Sequence, residues 1–144
     1  MVIAGILKHK GGDVVSVLPT ASVAEVIGLL VRRRIGAVLV VGADHALMGI
    51  LSERDVVRSL SAHGAGSLEM TAAHLMTAEV KTAAPETTVD EALAMMTDGR
   101  FRHVPVVSGE RLVGLVSIGD VVKAKIGEAE HEVDSLRAYV AGAA

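Results

Sequence analysis

The sequence predicts an α+β fold made of two β-α-β-β-α repeats packed on each other about a pseudo-twofold axis. Three observations carry that expectation. First, the chain matches itself: Val14, Pro19, Val23, Glu25, Arg34, Val38, Val40 and Val41 recur 66 residues later as Val80, Pro85, Val89, Glu91, Arg100, Val104, Val106 and Val107. After a one-residue deletion in a turn, Leu47, Gly49, Ser52, Asp55, Val56 and Val57 recur 65 residues on as Leu112, Gly114, Ser117, Asp120, Val121 and Val122. Second, each copy alternates short β-branched runs with stretches of helical apolar spacing. Third, a unit of about 50 residues buries too little surface to stand alone, so the copies should pack together. A period seen only twice suits a pair better than a solenoid.

In chain order, Val14 to Leu18 is a short β run ended by Pro19. Ser22 is a plausible N-cap for a helix through Val23, Val26, Ile27 and Leu30, with Glu25 at the capping-box position. Ala37 to Val41 is β-branched and almost wholly apolar, as in a strand covered on both faces. A turn around Gly42 to His45 leads to a strand at Leu47 to Leu51, and Ser52 caps a helix through Val56, Val57 and Leu60. The second copy repeats the series: a strand near Val80 to Ala83, a helix from Thr88 to Thr97, strands at His103 to Val107 and Leu112 to Val116, and a helix from Ser117. Ser61 to Gly66 is small and Gly-rich and reads as the internal linker. Beyond Lys125, Val133, Leu136 and Val140 lie on one helical stripe, which predicts docking on a second subunit. The expected divisions are 1–66 for the first repeat with an N-terminal helix, 67–127 for the second, and 128–144 for a C-terminal helical extension.

Composition removes several function classes. Cysteine is absent, which excludes disulfides, thiolate metal sites and cysteine nucleophiles together. The formal net charge of −3 gives no basic field for nucleic acid or anionic lipid, and the only aromatics, Phe101 and Tyr139, cannot form a stacking platform for single strands. The longest apolar run, Ile35 to Ala43, is under half of the roughly 20 residues a membrane helix needs. Met1 to Leu7 is too short for a signal sequence, and its lysines follow it, so a cytoplasmic location is expected. His9, His45, His63, His74 and His131 share no ligand spacing, which argues against a metal. No nucleophile–base order, paired-carboxylate pocket, dinucleotide fingerprint or phosphate loop is present, so no enzyme is expected.

Two constellations carry chemistry. Gly-x-x-Ser-x-x-Asp occurs at Gly49–Asp55 and again at Gly114–Asp120, each time where a strand gives way to a helix. Seen once, it is a helix cap. Seen twice, Ser52 with Asp55 and Ser117 with Asp120 also suit a ligand, since a carboxylate at a helix start can accept both hydroxyls of a ribose. The neighbouring N–H groups and serine hydroxyl can hold phosphate. The second constellation is Arg100, Arg102 and His103 at the opening of one strand, an expected phosphate clamp with bidentate arginines and a pH-sensitive histidine. The first copy has Gly36 and Ala37 in place of Arg102 and His103, and carries Arg54 where the second has Gly119. One strong site at Asp120 and a weaker or empty one at Asp55 are therefore expected. Arg32 to Arg34 are read as cations placed favourably at a helix C-terminus.

With these residues in view, the chain resembles the cystathionine β-synthase (CBS) domain family as a tandem pair covering nearly its whole length. The resemblance rests on the duplicated unit, on Leu75-Met76-Thr77 ahead of Val80 to Pro85, on His103 to Val107, and on Gly114 to Asp120. It implies a disc-like pair with two clefts between the repeats, frequently a homodimer of such discs, and a sensor of adenosine compounds. Carried over by position, Asp120 would hold the ribose hydroxyls with Ser117 beside the ribose or phosphate. Thr82 and the backbone of Lys81 would meet the adenine, and Arg102 with His103 the phosphates. Asp55, Ser52 and Ser16 are the equivalents in the first copy.

The expected function is thus a stand-alone regulatory module for energy or redox sensing. It would bind AMP, ADP, ATP or NAD, ahead of S-adenosylmethionine, and modulate an unidentified partner protein on another chain. The alternative is a dimerisation or interaction scaffold that holds no ligand. Nucleic-acid binding through the arginine clusters ranks behind both.

Overall fold

The computed structural model describes residues 1–143. Its elements are α1 (Ile3–Lys10), β1 (Ser16–Val17), α2 (Val23–Arg33), β2 (Ala37–Val41), β3 (Leu47–Ser52), α3 (Glu53–His63), α4 (Ala72–Leu75), α5 (Val89–Gly99), β4 (His103–Ser108), β5 (Arg111–Ser117) and α6 (Ile118–Ala143). The fold is α+β, and the first repeat has the expected β-α-β-β-α order. The chain divides into two compact units, Asp13–Lys81 and Met1–Gly12 together with the chain from Thr82 onward.

In the first unit, β1 pairs in parallel with β2, and β2 pairs antiparallel with β3, Ala37 facing Ser52 and Val40 facing Gly49. Every residue of β2 is buried, which its unbroken apolar run requires. The Ser22 hydroxyl accepts the Glu25 N–H at 3.2 Å and starts α2. Arg34 ends that helix with φ 55°, a left-handed C-cap. Val23, Val26 and Leu30 of α2 pack on Val38, Val40, Leu51, Val56 and Ala72 as one core.

The second unit repeats this plan with a β4–β5 hairpin in which His103 faces Ser117 and Val106 faces Gly114. Both hairpins shift register at the same repeat position, Val40/Val41 and Val106/Val107. The strand expected at Val80 to Ala83 shrinks to one parallel bridge, Ala83 to Val106, with the Ala83 N–H on the Pro105 carbonyl at 2.9 Å. Ala83 and Ala84 stand where the first copy has Val17 and Leu18, and alanine has little β preference.

Two readings differ from the sequence expectation. The helix grouped with the first repeat, α1, packs in the unit of the second: Ile3 and Ile6 are buried among Val89, Met96, Val116 and Val121. The Ile3 N–H donates to the Thr87 carbonyl at 2.8 Å and the Val89 N–H to the Met1 carbonyl at 3.0 Å. The lead-in to the second repeat makes the same pair of bonds in the first unit, Ala72 N–H to Ala21 carbonyl and Val23 N–H to Met70 carbonyl, both 2.8 Å. Each repeat therefore lends its leading helix to the other's core. The segment read as a linker, Ser61 to Gly66, is ordered instead. α3 runs to His63, a 3-10 turn spans Gly64–Glu69, and a buried hydroxyl pair joins Ser59 to Ser67 at 2.7 Å. The units divide at Lys81 and Thr82. The C-terminal helical extension is, as expected, a continuation of the last helix of the second repeat, α6.

Candidate functional site

At the end of β5, Ser117 and Asp120 close a reciprocal cap. The Asp120 Oδ2 accepts the Ser117 N–H at 2.8 Å and its hydroxyl at 3.0 Å, and the Asp120 N–H donates to the Ser117 Oγ at 3.2 Å. Ser52 and Asp55 repeat the arrangement at 2.8, 3.0 and 3.4 Å. The Ile118 N–H then donates to the Arg102 carbonyl at 2.8 Å, matched by Glu53 N–H on the Gly36 carbonyl at 2.9 Å. This bond, with the His103–Ser117 pairing, brings Arg102 and His103 beside the Ser117 turn. Arg102 is exposed.

The structure distributes the remaining expected residues unevenly. Arg100 is the C-cap of α5 at φ 55°, the counterpart of Arg34, so its backbone has a structural task. Thr82 is exposed one residue before the Ala83 bridge, while Lys81 ends the other unit. Ser16 lies in β1 opposite Leu39, and Arg54 is exposed on the first turn of α3.

A residue that sequence reasoning missed stands at the candidate site. Lys10 Nζ lies 2.7 Å from Asp120 Oδ2 and donates to the Leu115 carbonyl at 2.9 Å. The ion pair spans 110 residues of chain and could be found only once α1 was known to pack against the second repeat. Lys10 stands three residues beyond Leu7, whereas Glu79 stands three beyond the corresponding Met76, so this route brings no cation to Asp55. Asp55 Oδ1 instead has Arg58 Nη1 at 3.8 Å.

Partial burial opposes the charge on Asp120, but the Lys10 ammonium and the Ser117 N–H outweigh it and hold the carboxyl below the usual aspartate range. A folded-state value below the unfolded one means that the carboxylate contributes stability above the unfolded pKa, lost as pH falls through the folded value. Lys10→Met should raise the Asp120 pKa toward the ordinary value and shrink that acid-sensitive contribution. NMR titration of the Asp120 carboxyl checks the first effect, and urea melts across acid pH the second.

Beside Asp120, α1 and α6 border a groove of about 680 Å³ whose walls include Ile6, His9, Lys10, Lys123, Ala124 and His131. Its volume falls in the range of small-molecule sites. Among the described residues, no group of three His, Asp or Glu side chains is placed to hold a metal ion. No helix among them is long and apolar enough to cross a membrane.

Fold and site together define a tandem α+β module with a capped acidic turn at each strand-to-helix junction. The family model described as the CBS domain matches twice, at residues 8–62 and 72–127, and the chain belongs to that family. It is 36% identical to the mitochondrial CBS domain-containing protein CBSX3 of Arabidopsis thaliana, over 97% of this chain and 72% of that protein. The crystal structure of the CBS-domain protein ATU1752 from Agrobacterium tumefaciens superposes with a TM-score of 0.84 at 44% identity, covering 86% of this chain and 92% of that one. The CBS domain pair of protein MJ0100, solved with 5′-methylthioadenosine and S-adenosyl-L-methionine, shares the fold at TM-score 0.79 and 24% identity, over 89% of this chain and 98% of that one.

Proposed function

We propose that this chain is a regulatory, non-catalytic module that binds a phosphate-bearing adenosine compound at the Asp120 turn and transmits its occupancy to a partner protein. The observation that carries the reading is a preformed acidic cap, partly exposed, directly beside Arg102 and His103. With Oδ2 engaged by Ser117 and Lys10, Asp120 Oδ1 takes the ribose hydroxyls. Thr82 meets the adenine, and Arg102 with His103 meets the phosphates. The adenosine ligands of the MJ0100 pair support the ligand class. The cations Lys10 and Arg102 favour AMP, ADP, ATP or NAD over S-adenosylmethionine, whose sulfonium is itself positive. The turn of the first repeat has no counterpart of Arg102 or Lys10, and is the weaker site. Such a ligand regulates only by binding two states of the module unequally.

Thermal shift with AMP, ATP, NAD and S-adenosylmethionine, on protein unfolded and refolded to remove retained ligand, tests the proposal. The phosphate-bearing compounds should raise Tm most, and silence from all four would reject the reading. Arg102→Ala should weaken AMP by roughly tenfold, the value of one charge-assisted contact, and adenosine far less. Calorimetric titration of both ligands measures the difference, and equal losses would remove Arg102 from the phosphate site.

The scaffold reading keeps one observation of its own: Val122, Ile126, Val133, Leu136 and Val140 of α6 are all exposed. Assembly and ligand binding are compatible.

A further inference from the structure

The outward side of α6 has a stricter pattern than an apolar stripe. Val122, Ile126, Ala129, Val133, Leu136 and Val140 follow one another at alternating intervals of four and three residues, a heptad seam carried over nearly three heptads. All six are exposed, while the α6 side chain buried in its own unit, Val121, lies on the neighbouring face. The a positions are Ile126, Val133 and Val140, and the d positions are Val122, Ala129 and Leu136. Every a position is β-branched, which together with leucine at d, as at Leu136, suits a two-stranded pair.

The flanking charges choose the occupant. In a parallel, in-register pair each g residue meets the e residue five positions further along the other helix. Here Glu132 meets Arg137 of the second copy, and Lys125 meets its Glu130, so both contacts join opposite charges. Lys125 already bonds Asp90 at 2.8 Å and Glu128 at 3.4 Å in its own chain, which makes Glu132–Arg137 the cleaner contact. An antiparallel partner over the same length would set Glu130 against Glu130, Glu132 against Glu132 and Lys123 against Arg137. Every one of those contacts is repulsive.

We infer that the exposed seam of α6 pairs with the same seam of a second copy of this chain as a parallel two-stranded coiled coil. The inference deepens the assembly reading above and is independent of ligand binding. Sedimentation and light scattering on the full chain should give twice the 14.9 kDa monomer mass. A Val133→Asp/Leu136→Asp variant should return the monomer mass with its nucleotide response intact, since neither residue is buried in the monomer. Glu132→Lys should weaken dimerisation roughly tenfold at low salt, and Glu132→Lys/Arg137→Glu should restore it. The chain lacks cysteine, so Leu136→Cys reports orientation: a parallel pair sets it against its own copy, and oxidation should link the chains. A monomeric unaltered chain would overturn both the seam and the assembly reading. A dimer unmoved by the double aspartate variant would overturn the seam and leave assembly through another face. A failed Leu136→Cys link in a dimer that the aspartates break would overturn the parallel arrangement.

Discussion

Asp120→Ala should abolish the thermal stabilisation expected from AMP, ATP or NAD. At a ligand concentration about a hundredfold above Kd, binding contributes roughly 2.7 kcal/mol. At this chain length that is a rise in Tm of several degrees. The substitution also removes a capping box, which costs about 1 kcal/mol without any ligand. A fall in the Tm of the free protein is therefore no test of binding. Asp55→Ala supplies the control, because Ser52 and Asp55 form the same cap with matching geometry. Both variants should lower the Tm of the free protein, Asp120→Ala the more because it also loses the Lys10 ion pair. Only Asp120→Ala should lose the ligand-induced increment, with Asp55→Ala keeping most of it. Paired melts with and without nucleotide measure this, and an increment that survives in Asp120→Ala rejects the ribose role.

The second large effect lies at a glycine that looks functional and is steric. Gly49→Ala should destabilise the protein by roughly 1–3 kcal/mol, the usual penalty for overpacking a filled interior. A Cβ at this position would lie 2.7 Å from Met76 Sδ and 2.8 Å from the Thr77 carbonyl oxygen. The sulfur can swing aside, but the carbonyl cannot, because Thr77 and Ile50 exchange backbone bonds of 2.8 and 3.0 Å. Gly114 is the repeat counterpart and differs in what crowds it: the three atoms nearest a Cβ there all belong to the Leu7 side chain, at 2.6, 3.0 and 3.4 Å. A rotamer change of Leu7 relieves that contact, so Gly114→Ala should cost clearly less. Urea melts of the two variants give the comparison, and a Gly114→Ala loss as large as that of Gly49→Ala would contradict it.

Gly49 and Gly114 also show how an internal repeat can mislead. Their recurrence at the head of Gly-x-x-Ser-x-x-Asp made them part of a ligand motif on paper. In the structure each admits the lead-in helix borrowed from the other repeat, Met76 in one unit and Leu7 in the other. The lead-ins correspond at an interval of 69 residues, Met1 with Met70 and Ile3 with Ala72, rather than the 66 of the repeat body. The changed interval hides the correspondence, so the sequence alone groups α1 with the repeat it precedes. The caps were legible because their partners lie three residues apart, so local sequence names both ends of each bond. β2 was legible because burial on both faces leaves an apolar run with few other uses.

By its own order of residues, the chain determined two like units, the course of most helices and strands, and the capped acid at the head of α3 and α6. These are local or periodic properties, set by neighbours within a few positions or by a fixed interval. Only tertiary structure decided that α1 completes the second unit, that Lys10 reaches Asp120, and that Ser61 to Gly66 is ordered instead of a tether. Each of these depends on which apolar faces find one another across long stretches of chain. Ile3 and Ile6 gain most by leaving water for the core around Met96 and Val116. The lysine that follows them is carried to the carboxylate as a consequence, and a charge that meets its partner in this way has no signature in the residues beside it.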